Sequence, residues 1–238
     1  MKYFLSLPFV LSILFFSCKS PQQLTINYPI DQTQLTYLHT YTIPHNFSFM
    51  ETTVGGLSSI DYDQKRNRYF LVCDDRSSIN PARFYTAKIS IKQNKIDTVL
   101  FTNFAYLKDE LGKTYPSTKE NPYKTPDPES MRYNPNSKLL VWSSEGENTI
   151  RGKDSILINP SVYFVNAAGR FKDSITIPQN LYMSFLEKGP RQNGVLEGMS
   201  YADNYKTLMV NVEEPLQEDG PRADLKPNGA IIRFYKFD

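Results

Sequence analysis

The sequence predicts an all-β fold, a β-propeller-like stack of short antiparallel sheets, and three observations carry that prediction. Aromatic residues make up 13% of the 238-residue chain, with 16 Tyr and 15 Phe, side chains that pack well on a pleated surface. Sixteen Pro and 11 Gly supply frequent turns, while amphipathic helical periodicity is weak throughout. Finally, one motif recurs three times: GGLSSIDYDQKRNRYFLVCDDR from Gly55, PESMRYNPNSKLLVWSSEGE from Pro128 and LEGMSYADNYKTLMVNVEEP from Leu196. Self-similarity at long period marks an architecture built from one repeated unit. The competing arrangement is an ordinary β-sandwich.

In chain order, the first element is an address. Lys2 precedes an apolar run from Phe4 to Phe16, shorter than the roughly 20 residues that span a bilayer, and Ser17-Cys18 follows it. This reads as a lipoprotein signal peptide over residues 1–18 with Cys18 as the lipidated residue; a plain secretory signal is the alternative. Residues 19–34, rich in Gln, Thr, Pro and Asn, read as a linker, leaving 35–238 as the propeller domain. With Cys18 lipidated, Cys73 has no disulfide partner. It lies in the strand-like run Tyr69–Cys73 and is expected to be a small buried hydrophobe.

Each repeat reads as a hairpin. The polar turns are Asp63 to Asn67, Asn134 to Ser137 and Ala202 to Lys206, and the apolar return strands are Tyr69–Cys73, Leu139–Trp142 and Leu208–Val212. The second and third motifs align without a gap at an offset of 68 residues, Glu129 on Glu197 and Glu145 on Glu213. The first aligns if its turn is three residues longer, with Leu57 on Met131 and Asp74 on Glu145. Further strands are expected at Arg83–Ile89, Thr98–Phe101, Val162–Val165, Ser174–Ile177 and Ile231–Phe237, with a surface loop from about Lys108 to Asp127. At roughly 40–50 residues per blade the domain supplies four or five blades. It ends on a strand with nothing after it to close a ring, so the propeller is expected to be incomplete at its C-terminus.

Charge and histidine content exclude several chemistries. Twenty-seven Lys plus Arg against 25 Asp plus Glu is no nucleic-acid footprint. The only histidines are His39 and His45, and there is no HExxH helix, GxSxG elbow, P-loop or GxGxxG. Catalysis must rest on carboxylates, arginines, hydroxyls or a hard cation. The hairpin geometry puts Asp74, Asp75, Glu129, Glu145, Glu197, Glu213 and Glu214 at one end of the molecule. Clustered like charges need a cation, arginine partners or raised pKa values. Oxygen ligands in this number suit Ca²⁺, and Arg76, Arg83, Arg132 and Arg191 lie in or beside the motifs as the alternative neutralisers.

These segments, with Pro81-Ala82-Arg83-Phe84-Tyr85, Arg191-Gln192-Asn193-Gly194 and Glu213-Glu214-Pro215-Leu216, resemble the esterase-like phytase family from about Gly55 to the C-terminus. The resemblance implies a propeller-like secreted or lipid-anchored protein with phosphoesterase or phytase-type activity. Carrying the motif residues over makes Glu129, Glu145 and Glu197 the expected catalytic groups. Arg76, Arg83, Arg132, Arg191 and Asn193 become the expected substrate ligands, and Asp74, Asp75, Glu145, Glu213 and Glu214 the metal ligands. The expectation is an extracytoplasmic hydrolase of small phosphoesters, held to the cell envelope by lipid and using Ca²⁺. A non-catalytic binding propeller and a metal-dependent lactonase or carboxylesterase are the alternatives.

Overall fold

The three recurring motifs fold into three hairpins of equal length, each beginning a separate antiparallel sheet. The computed structural model describes residues 35–150, 152–226 and 228–238, within which Leu38–Asp238 form one unit; Cys18 and the linker lie outside the described residues. A short ribbon of β1 (Ser48–Phe49) and β2 (Thr52–Thr53) comes first. The first sheet is β3 (Leu57–Asp63), β4 (Arg68–Cys73), β5 (Arg83–Lys92) and β6 (Lys95–Tyr106), in that order. The second begins with β7 (Pro128–Asn134) and β8 (Leu139–Ser144). A ribbon of β9 (Glu147–Thr149) and β10 (Ile156–Ile158) interrupts it before β11 (Ser161–Val165) and β12 (Phe171–Ile175) complete it. The third is β13 (Leu196–Ala202), β14 (Thr207–Val212) and β15 (Phe234–Phe237).

The fold is all-β and propeller-like, as expected, with three large sheets among the described residues where the length had suggested four or five. The difference lies in the connections: residues 107–127, 176–195 and 213–233 are long loops that hold chain a further blade would need. Two strands are displaced from their expected positions. The strand expected at Ser174–Ile177 runs over Phe171–Ile175, because a tight turn in which Asn166 bonds the Arg170 backbone starts it early. The last strand starts at Phe234 instead of Ile231, because Arg233 turns aside to pair with Asp219 at 2.5 Å.

The register revises the repeat alignment. Leu57 pairs with Cys73, Pro128 with Ser144, and Leu196 with Val212. An offset of 71 residues therefore carries the first hairpin onto the second without a gap, from Leu57 on Pro128 to Cys73 on Ser144. The first turn is not longer, and Leu57 matches Pro128, not Met131. Sequence similarity was weakest at the start of the motif, where the register shows Ser58, Glu129 and Glu197 to be equivalent.

The sheets pack face to face. Phe70, Val72 and Phe84 meet Met131, Leu140 and Trp142 between the first two sheets, and Val141 and Val162 meet Met199, Leu208 and Val210 between the second and third. The middle sheet is covered on both faces, so its run Leu139–Trp142 is apolar without alternation. The inner strands are also stitched by polar contacts. Ser59 Oγ and Asp61 Oδ2 accept the backbone N–H groups of Met131 and Tyr133 at 2.9 and 2.6 Å.

Candidate functional site

The acidic residues meet because three equivalent hairpins end in the same way. In each, the register shifts immediately after the first residue of the leading strand, between Leu57 and Ser59, Pro128 and Met131, and Leu196 and Gly198. Such a bulge re-aims the side chain it carries, and at two of the three it carries a glutamate, Glu129 and Glu197. The residue following each return strand supplies a second acid: Asp74, Glu145 and Glu213. Gly146 holds the adjoining turn with φ +86°, and a Cβ there would lie 2.5 Å from the Ile158 carbonyl. Only glycine lets the β9–β10 ribbon approach Glu145 so closely.

The result is two carboxylate triads. Oxygens of Asp74, Asp127 and Glu129 lie within 4.8 Å of one another, as do those of Glu145, Glu197 and Glu213. Burial pushes the Glu129 carboxyl up to about 9, and the charges of Asp74, Glu197, Asp127 and Glu145 push the same way. Asp127 is raised to about 7, by burial and by Asp74 and Glu145 against the pull of Arg76. Asp74 is raised by burial as well, and shares a hydrogen bond with Asp127 that two carboxyl groups can make only with a proton between them. Glu197 rises to about 7 through burial and then Glu213 and Glu145. Glu145, only 3% exposed, is raised by burial although its Oε1 accepts the Val195 N–H at 2.8 Å. Mutual charge effects between the triads show that they form one acidic end.

The other residues singled out from sequence divide sharply. Arg76 faces the acids, bonding Asp127 at 3.3 Å and also Glu147. Arg83 does not. It is 1% exposed, and its guanidinium donates to Asp75 at 2.6 Å, Tyr85 Oη at 2.7 Å, and the carbonyls of Thr53 at 2.6 Å and Asn80 at 3.1 Å. That occupies it inside the first sheet, where it binds Asp75 through Oδ2 and leaves Asp75 Oδ1 buried without a hydrogen-bond partner; neither residue belongs to the carboxylate triads. Arg191 staples a loop, donating to the carbonyls of Pro215 and Gly220 at 3.0 and 2.5 Å. Glu214 is bound by Arg222 at 3.0 Å and by the Ala223 N–H, and stands outside both triads. Asn193 is exposed with φ 50°, and its Oδ1 accepts from the Gln192 amide. Arg132 lies apart from these, in the cleft between the inner strands.

Two members were not singled out from sequence. Asp127 sits just before β7, and its backbone continues the ladder, donating to Ser144 Oγ at 3.0 Å and accepting from the Glu145 N–H at 3.0 Å. Its adjacency to Pro128 was the available signal, hidden by its place at the end of a Pro- and Lys-rich insert. Glu147 is the last residue of the second motif, aligned with Pro215 of the third, and joins through Arg76. Cys73 is the buried hydrophobe expected: it is 1% exposed and burial pushes its thiol up to about 12.

A family model described as phytase-like, esterase-like activity of phytase, matches residues 52–238. No curated protein and no solved structure matches the chain.

Proposed function

The chain belongs to the phytase-like family, esterase-like activity of phytase, and we propose that it is a phosphoric ester hydrolase that acts on small phosphoesters at the acidic end of its inner strands. One observation carries the proposal: six carboxyl groups converge there, and among the described residues Arg76 is the one cation paired with them. A purely structural network would balance its charges.

The donor set fits a hard cation. Two oxygens on one Ca²⁺, each at about 2.3–2.6 Å, stand no more than about 5 Å apart, and both triads meet that limit. Asp74, Asp127 and Glu129 would hold one ion, and Glu145, Glu197 and Glu213 another or the same one from the other side. When bound, such an ion supplies charge neutralisation and an acidified water. Glu197 is half-buried, and with no cation bound burial and then Glu213 and Glu145 push its carboxyl up to about 7, so binding an ion there would release a proton. Glu129 and Glu145 frame it. Arg76 holds Asp127 and Glu147 in place, a positioning role in exchange for the substrate contact first expected of it. On the reading of the N-terminus, Cys18 carries lipid and fixes this domain to the cell envelope; loss of membrane partitioning in Cys18→Ala would support it, and unchanged partitioning would reject it.

A second reading, carboxylic ester or lactone hydrolysis, is favoured by the family's own description as esterase-like; a cation polarises a carbonyl as well as a phosphoryl oxygen. Phosphate and carboxylate esters assayed side by side on the full chain, with Ca²⁺ and with chelator, separate the two. Calcium-dependent release of phosphate supports the proposal, turnover of carboxylate esters alone supports the second reading, and no turnover of either leaves a binding module.

A further inference from the structure

Between the leading strands of the three hairpins lies a cleft of about 620 Å³, lined by Ser58, Ser59, Ser130, Arg132, Glu197 and Asn211 among others. Glu197 connects it to the acidic end. Two features of its wall are anomalous for a folded interior. Ser130 is 1% exposed, and its Oγ has no hydrogen-bond partner in the protein, whereas a buried hydroxyl is ordinarily paired. The Arg132 guanidinium has one protein acceptor among the described residues, the Met131 carbonyl at 2.6 Å. No carboxylate among them stands within ion-pair distance of it. Burial holds its pKa below the ordinary value, offset only by the more distant charge of Asp61. Asp61 itself is engaged by the Tyr133 N–H. An arginine kept in a half-buried cleft without a counter-ion, beside an unpaired hydroxyl donor, is complementary to an anion with several oxygens.

We propose that this cleft is a phosphate seat, in which Arg132 and the Ser130 hydroxyl hold the phosphoryl oxygens of a phosphomonoester while its ester bond faces the acidic end through Glu197. The inference rests on the phosphoester reading and narrows it. Of the four arginines singled out from sequence, Arg83 and Arg191 are occupied by protein carbonyls and Asp75, and Arg76 by carboxylates. Arg132 is the one of these four with no carboxylate partner and a single protein acceptor among the described residues. The acids and the seat then divide the work, one end holding a cation and the other the anionic group.

The test is calorimetric titration of inorganic phosphate into the full chain in the presence of Ca²⁺, with acetate as the comparison anion. Phosphate should bind and acetate should bind at least tenfold more weakly. Arg132→Gln should weaken phosphate binding by more than about tenfold, and Ser130→Ala by about fivefold to tenfold, as expected for losing hydrogen bonds to a charged group. Ser130→Ala removes a hydroxyl that satisfies nothing in the fold, so its melting temperature should be unchanged or raised. That variant decides the matter even if Arg132→Gln fails to fold. Arg222→Gln, an exposed change of the same charge, should leave phosphate binding intact. Absent phosphate binding, equal acetate binding, or affinity indifferent to Ser130→Ala in a folded protein would overturn the seat. If phosphate binds as described but no phosphoester is turned over, the seat stands and the hydrolase reading falls; if phosphoesters are hydrolysed equally by Ser130→Ala and wild type, the reverse holds.

Discussion

Two ionic groupings lie one residue apart in the first sheet, and they are built on opposite plans. Asp75 meets Arg83, whose remaining donors go to Tyr85 and to backbone carbonyls; the charges cancel and the guanidinium is enclosed. Asp74 turns the other way, into Asp127 and Glu129, where Arg76 is the only cation within ion-pair distance of the triad among the described residues. Asp63 repeats the first plan at the far end of the same hairpin, with Arg66 and Arg68 on one carboxylate. Balanced charge is what folding alone selects, because an unpaired buried charge is costly. Surplus negative charge at one end is tolerated only if protons or a cation supply the balance, and that is the ground on which the proposed site is placed at Asp74 and its neighbours.

The contrast is most severely tested at the balanced pair. Arg83→Met strands Asp75 in a buried site and should destabilise the protein by about 3–5 kcal/mol, read as a fall in melting temperature on the order of 10 °C; a fall of under about 2 °C would mean that the network is not structural. At the acidic end the expected signature is pH dependence. Glu129 near 9 and Asp127 and Glu197 near 7, against ordinary values of 4.5, 3.8 and 4.5, mean that the folded protein retains protons the unfolded chain has released. In chelator, stability should therefore fall steadily from about pH 4 to about pH 9, most steeply below 7 where all three groups contribute. A melting temperature that rises with pH over that range would refute the assignment.

Removing the need to hold one proton at the acidic end should help. Glu129→Gln in chelator at pH 8 should gain about 1 kcal/mol, or about 2–4 °C, while losing activity and most of the response to Ca²⁺. A loss of stability in chelator would show that the carboxyl is satisfied by the fold. The smallest effect belongs to Glu214→Gln, which opens an exposed pair with Arg222; it should change stability by less than about 0.5 kcal/mol and leave Ca²⁺ binding as it was. Weakened Ca²⁺ binding in that variant would return Glu214 to the metal ligands.

Much of this end of the molecule was readable in the residues. Glu129 on Glu197 and Glu145 on Glu213 follow from one ungapped alignment, and equal hairpins necessarily bring equal positions to the same edge. Asp127 escaped because it lies just before the repeated unit, where similarity carries no information and only the continuing ladder places it; Glu147, the last residue of the second motif, stands opposite Pro215 in the third, so the repeat gives it no acidic counterpart. The arginines were least readable. Whether Arg83, Arg132 or Arg191 is free depends on which loop carbonyls fold back onto it, and a planar donor with five N–H groups accepts almost any local arrangement of oxygens. Blade number failed for a related reason, since long connections and strands draw on the same residues until packing decides between them.

Calorimetric titration of Ca²⁺ into the metal-free full chain at pH 7.5 bears on the acidic end without passing through any substrate. A saturable binding isotherm is expected, accompanied by proton release as Glu129, Asp127 and Glu197 ionise. The affinity should fall in Glu145→Gln and again in the Glu145→Gln, Glu213→Gln double variant. No saturable binding up to millimolar Ca²⁺, with a melting temperature unchanged across that range, would contradict a cation site and leave the six carboxyl groups as a structural cluster.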